Sequence, residues 1–277
     1  MAYFNKIIRL TFKGKLDTFM VSTPQYGFKP DITISGELSA NSLVSQFEIR
    51  VTNLYTSKPL KNYEQVIVEA GYAGAVSAVI VGTIGAIYSA KPGPDKETVI
   101  ICNTANLTDW LETTVNLKLP EGTPLATVAQ QISSALKYQP PYIGTSLTAK
   151  TLPAPLNLNG TAREAINSLK AMFREMNVVI NSNRLNLITE EKTDLAPTHN
   201  LSILTQAPQY SGESVNICAP WIPNLKPGDL VRFPNKFYGV SLGFVDQALY
   251  DTMKVATIQF TFGTIHGNEM SVTGVAL

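Results

Sequence analysis

In the stretch QFEIRVT, residues 46–52, Phe47, Ile49 and Val51 alternate with Glu48, Arg50 and Thr52. A period of two sets the apolar residues on one face of a strand and the polar ones on the other. KIIRLTF, DITISGEL, QVIVEAGY, AVIVGTIGAIY and ETVIICN have the same short, Val-, Ile-, Thr- and aromatic-rich character. Turn-formers such as TPQYGFKPD, SKPLKN and KPGPDK separate them. Strands at this spacing over residues 1 to about 115 predict a barrel or sandwich.

The period then changes. In EGTPLATVAQQISSALKY, Leu125, Val128, Ala129, Ile132 and Leu136 fall at helical spacing, with Thr123 as the expected N-cap and Pro124 as the first helical residue. In GTAREAINSLKAMFREMN, Thr161 and Glu164 form a capping box, and Ala162, Ile166, Leu169, Phe173 and Met176 make the inward stripe. NVVINSNRLNLIT reads as a hairpin turning at NSN, and the Pro-rich piece between the helices reads as an extended connection with room for one strand. Strand patterns return in SVNICAPW, DLVRFPN, YGVSLGFVDQ, KVATIQFTFGTIHGN and EMSVTGVAL. The expected organisation is α+β, mostly β: a first β domain over 1–117, a helix–helix–hairpin α/β module over 118–198, and a second β domain over 199–277.

The run AGYAGAVSAVIVGTIGAIYSA, residues 70–90, is free of charge and long enough to cross a bilayer as a helix. Its β-branched residues and glycines, with no Leu or Phe, predict buried strands with a tight turn or bulge instead. No basic cluster flanks it, and only Lys91 stands nearby. The N-terminus lacks the apolar core and small-residue cleavage site of a signal peptide, so folding in a reducing cytoplasm is expected.

Charged residues make up 16% of the chain, well below the usual quarter, while the net charge is +1. Low charge favours buried surface between subunits, hence an oligomer or larger assembly. The near-neutral balance gives no electrostatic ground for nucleic acid or anionic lipid as main partner. Cys102 and Cys218 sit in apolar strand contexts, without CxxC spacing, and read as small buried hydrophobes.

No catalytic set emerges. His199 lies in a polar linker and His266 in TIHGN, too few for a zinc site and without a G-x-S-x-G elbow for a triad. Each is expected to be solvated or hydrogen-bonded. Glu190 and Glu191 are adjacent, so a strand would point them to opposite faces, and a solvated turn is the expectation. Neither GxxxxGK[ST] nor GxGxxG occurs. No catalytic, cofactor-binding or metal residue is therefore assigned. Trp110 and Trp221 could stack a sugar on a binding module, but burial is expected for both.

The order of segments carries a resemblance. FEIRVTNL, YEQVIVEAGY and VIVGTIGAI, with landmarks Asn53, Leu54, Gly71, Tyr72 and Gly82, resemble the first barrel of the baseplate hub proteins of long-tailed, especially contractile-tailed, phages. That family is related to the hub part of type VI secretion spikes. EGTPLATVAQQIS resembles the first helix of the hub insert, and NGTAREAINSLKAMFREMNVVINSNRLNLI its second helix and hairpin. APQYSGESVNICAPWIPNLKPGDLVRF, with the turn Pro227–Gly228, resembles the start of the second barrel, and YGVSLGFVDQALYDTMKVATIQFTFGTI its closing strands.

The resemblance implies two tube-protein-like antiparallel barrels flanking the insert, and a homotrimer whose six barrels form a pseudo-sixfold ring. Such a ring joins the tail tube above to a separate spike or tip protein below, nucleates assembly, and leaves a channel for DNA. The implied setting is the virion tail, reached from the host cytoplasm, with other baseplate proteins around it, no cofactor, no enzymatic activity and no stable membrane insertion. The alternatives are a tail tube or tube-terminator protein, a carbohydrate- or peptide-binding β module, and a hydrolase, for which the residues are missing.

Overall fold

The computed structural model describes residues 6–23, 31–40, 44–54, 60–72, 75–90, 95–105, 107–181, 183–189, 197–222, 224–234, 250–265 and 267–277. The first part of the chain supplies β1 (Lys6–Gly14), β2 (Thr18–Ser22), β3 (Ile32–Ser39), β4 (Gln46–Thr52), β5 (Tyr63–Tyr72), β6 (Ala75–Ala90) and β7 (Glu97–Asn103). The middle supplies α1 (Leu107–Glu112), β8 (Thr114–Leu119), α2 (Leu125–Ala135), β9 (Gln139–Ile143), α3 (Thr145–Thr148), β10 (Leu156–Thr161), α4 (Ala162–Met172), β11 (Met176–Asn181) and β12 (Arg184–Thr189). The last part supplies β13 (Thr198–Asn200), β14 (Gln209–Ser211), β15 (Ser214–Pro220), β16 (Leu230–Pro234), β17 (Tyr250–Gly263) and β18 (Asn268–Ala276). The expected strand YGVSLGFVDQ lies outside the described residues.

The first and last parts share one sheet of thirteen strands. Its path runs β14-β15-β18-β17-β3-β4-β7-β6-β5-β1-β2, with β16 on β17 and β13 on β16. Two separate closed barrels were expected, yet among the described residues no ladder closes. The physical reason is β17. Of its fourteen residues, Met253–Phe262 form the ladder with β18, Tyr250–Lys254 pair with β16, and the stretch Thr257–Gly263 also takes the free edge of β3. Once β17 satisfies those backbone groups, β3 has no donors or acceptors left for β1.

The sheet curls nonetheless. Lys6 Nζ at the start of β1 donates to the Gly267 carbonyl at 2.9 Å, and the Tyr72 hydroxyl donates to Asn268. The Tyr72 ring stands edge-on to Phe262 at 5.9 Å. Inside the curl lies one continuous core. Ile8, Leu10 and Phe12 face Val66, Val68 and Ala70, and the alternation Phe47, Ile49, Val51 predicted for β4 is wholly buried. The same cluster runs on through Ile217, Trp221, Phe260, Phe262 and Val272.

Residues 70–90 are not a buried pair of strands. They hold the end of β5 and the sixteen-residue strand β6, antiparallel to it, with register shifts between Val68 and Glu69 and between Ile84 and Ala86. Ile80 and Gly82 are buried, whereas Gly85, Ala86, Tyr88 and Ser89 are exposed. The bulge near Gly85 is the device the glycines foretold. Gly85, Ala86, Tyr88 and Ser89 face outward because a curled sheet keeps one face wet.

The middle part has its own core, from Ala105 to Leu187. The stripes predicted for α2 and α4, including Phe173 and Met176, are buried in it. α4 starts with the expected capping box: Thr161 Oγ1 accepts from Glu164 N at 3.3 Å, and Glu164 Oε2 accepts from Thr161 N at 2.7 Å. α2 starts one residue later than expected. Pro124 is its N-cap, and the Thr123 hydroxyl donates to the Pro120 carbonyl at 2.7 Å instead of capping. The connection between the helices is more ordered than expected. It contains α3, β9 on β12 in parallel, and β10 antiparallel to β8. Residues 117 and 118 fall together within β8.

Candidate interaction surfaces

The two cores meet through a small third cluster, Ala40, Val179 and Ile188, with Tyr142 against it. On the sheet side stands the turn Lys226–Asp229. Pro227 sets the first turn angle and Gly228 takes φ +93°, a left-handed value that suits Gly. The turn is closed by Asp229 N donating to the Lys226 carbonyl at 3.1 Å, while Asp229 Oδ2 accepts Lys226 N at 3.0 Å. Gly228 N donates to the Val255 carbonyl at 2.8 Å, tying the turn to β17. A Cβ on Gly228 would lie 3.1 Å from Ile188 Cδ1 across the seam. Here the packing leaves a cavity of about 200 Å³.

His199, expected in a polar linker and either solvated or hydrogen-bonded, is placed in β13 opposite Val231 of β16. Its Nε2 lies 2.9 Å from Asp229 Oδ2, with both side chains mostly buried. The pairing depends on the parallel bridge, which a three-residue strand does not announce in sequence. His266, Glu190 and Glu191 lie outside the described residues. Among the described residues no three His, Cys, Asp or Glu side chains gather as metal ligands would, and no helix is long and apolar enough to cross a membrane.

Both tryptophans are buried. Trp110 is 2% exposed in the middle core, and Trp221 is 4% exposed, packed on Phe260 at 5.8 Å and Phe262 at 4.3 Å between ring centres. Neither offers a face to a sugar. Cys102 is buried, and desolvation pushes its thiol up to about 12. Cys218 is half-buried on the outer face of β15.

The landmark residues turn out to shape the backbone. Asn53 adopts φ +52° after β4, and its side chain clasps the start of β7, donating to Asp95 Oδ1 at 2.8 Å and accepting from Lys96 N at 3.0 Å. Gly82 lies under the Phe47 ring. A Cβ there would come within 2.4 Å of Phe47 Cζ and 3.0 Å of Cys102 Cβ.

What faces outward is a mixed surface. On the sheet exterior Arg9 pairs with Glu69 at 3.2 Å, and Arg50 pairs with Glu48 and, at 3.1 Å, with Glu97. The hydrogen bond that Arg50 donates to the Glu48 carboxylate raises the Arg50 pKa above its ordinary value. Exposed apolar side chains include Leu16, fully exposed, next to β2, Met20 within β2 and Tyr210 on β14, with Leu111, Ile203, Ile265 and Leu277 elsewhere. Tyr88 stands out from the uncharged β6. Such residues are the usual material of protein–protein contacts. Hydropathy alone missed β2 and Leu16, which carry no strong period.

No family model matches the sequence, and no curated protein matches it by sequence. Solved structures do match. The 43 kDa tail protein of prophage MuSo2 from Shewanella oneidensis superposes with a TM-score of 0.61 at 12% identity, covering 96% of either chain. The tail protein from Neisseria meningitidis MC58 gives a TM-score of 0.58 at 8% identity, covering 99% of this chain and 97% of the other. The E. coli c3393 protein gives 0.56 at 8% identity, over 91% of this chain and 76% of its own. It is a component of the type VI secretion system with structural similarity to the T4 bacteriophage tail proteins gp27 and gp5. The structural neighbours of this chain are thus the tail proteins to which the order of its segments pointed, and it shares their fold over 91–99% of its length.

Proposed function

We propose that this chain is a structural protein of a phage tail and serves as the baseplate hub. The observation that carries the reading is the near end-to-end likeness to tail proteins, which includes the middle α/β module as well as the sheet. In this reading each half of the curled sheet acts as one barrel-like unit, with the α/β module between them. Three copies then give a pseudo-sixfold ring that receives the tail tube on one side and a spike or tip protein on the other. The lumen passes DNA, other baseplate proteins surround the ring, and no catalysis is involved. The chain assembles in the host cytoplasm and resides in the virion tail. Low charge, exposed apolar residues at β2 and β14, and the uncharged outer face of β6 suit a protein that is covered by neighbours.

Light scattering of the purified protein, with negative-stain images of the same fraction, tests this. The expected result is a trimer forming rings with six outer features, alone or on mixing with the neighbouring tail proteins. A hexamer would move the reading to a tail tube protein. A chain that stays single even with those partners would overturn it.

A further inference from the structure

The cavity at the seam between the α/β module and the sheet has apolar walls, formed by Tyr142, Val179 and Ile188 on one side and Pro227 on the other. Its volume, about 200 Å³, exceeds the roughly 150 Å³ in which an apolar guest the size of benzene is held. Arg184 and Lys226 also line it, and both are exposed. Arg184 Nε donates to the Pro140 carbonyl at 2.9 Å, which steadies the guanidinium and leaves its terminal nitrogens for a guest. Neither cation has a carboxylate partner among the described residues. The carboxylate lining the cavity, Asp229, is already engaged by His199 at 2.9 Å and by Lys226 N at 3.0 Å. A mainly apolar pocket with two cations at its rim that pair with no carboxylate among the described residues is complementary to an apolar group beside a negative charge.

We propose that this cavity is a docking site for a segment of a neighbouring protein that presents an aliphatic side chain next to a carboxylate. The aliphatic group fills the space beside Val179 and Ile188, and the carboxylate meets Arg184 and Lys226. None of its lining residues belongs to β2, β14 or β6, so it would engage a peripheral partner and does not depend on ring formation.

Methyl NMR of the full chain tests the proposal, with acetyl-Leu-Asp-Leu-amide and its Asn counterpart as probes. The Ile188 and Val179 methyl signals are expected to shift saturably with the Asp peptide, with affinity about fivefold above that of the Asn peptide. The variant Arg184→Gln/Lys226→Gln is expected to lose that preference with its melting temperature unchanged. Lys226→Gln alone, which leaves the Arg184–Pro140 bond intact, keeps part of the preference and serves if the double variant misfolds. Unmoved methyl signals at millimolar peptide, equal affinity for the two peptides, or a preference that survives both variants would overturn the proposal.

Discussion

Replacing Gly82 by Ala tests how the sheet curls. In an open strand the change would be favourable, since Gly costs roughly 0.5–1 kcal/mol relative to Ala there. Here the new methyl would lie 2.4 Å from Phe47 Cζ and 2.7 Å from Cε1. Phe47 cannot retreat easily, because it is 1% exposed and its Cβ already faces Gly36 across the β3–β4 ladder. Overpacking of this kind costs about 1–3 kcal/mol, and the clash with a held ring edge places Gly82→Ala at about 2–3. For a chain of this size that lowers the melting temperature by about 4–12 °C. Phe47→Leu removes the ring atoms that clash, at a cost of about 1–2 kcal/mol in lost volume. The double variant should then be less destabilised than the sum of the two by at least about 1 kcal/mol. Gly36→Ala supplies the contrast. Its methyl would meet Phe47 Cβ at 2.6 Å and Cα at 2.9 Å, atoms that Leu retains, so Phe47→Leu should not rescue it. Thermal and urea unfolding of the six proteins, wild type included, measures all of this. A neutral or stabilising Gly82→Ala, or strict additivity with Phe47→Leu, would refute the close packing of Gly82 under the Phe47 ring.

Gly228→Ala should cost about 1–2 kcal/mol in urea unfolding, because φ +93° strains a Cβ that also presses on Ile188. Thr161→Ala should cost about 1 kcal/mol through loss of the α4 capping box, seen as a lower melting temperature. Asp229→Ala should cost about 1–3 kcal/mol, since it strips acceptors from His199 and from Lys226 N, whereas the same change at exposed Glu213 should cost almost nothing. With a thiol reagent at pH 8, Cys102 should label only after unfolding, because burial and a pKa of about 12 leave it almost no thiolate. Labelling of native Cys102 at the rate of a free thiol would contradict its place in the core.

Strands with a strict period, such as β1, β4, β5 and β15, were legible because each buries one face and every second residue reports it. α4 was legible to its first residue because a capping box is local chemistry. What escaped depends on pairing over distance. That β17 would take the β3 edge, and so keep the sheet open, is decided by Thr257–Gly263 meeting Thr33–Ser39, more than two hundred residues away in sequence. The His199–Asp229 contact arises in the same way, from a short parallel bridge of β13 with β16. The cavity had no sequence signal at all. Its walls come from β9, the β11–β12 hairpin and a Pro-Gly turn, elements that only the seam between the two cores brings together.

An open sheet of this size must also account for its edges. Among the described residues β2 and β14 each pair on one side only. Both are short, which limits their reach, but neither carries the protective side chains of an edge: TFMVS and QYS contain no Lys, no Pro and no inward-pointing charge. Instead Met20 and Tyr210 stand exposed on them, with Leu16 beside β2. Evolution tolerates such edges where something covers them, and an edge-covering neighbour is also what the low charged fraction calls for. Two different edges at opposite ends of one sheet would make a heterologous contact, the kind that closes into a ring when the rotation between copies allows. The open path set by β17 and the proposed ring are therefore connected: a sheet closed on itself within one chain would have no edges to offer the next.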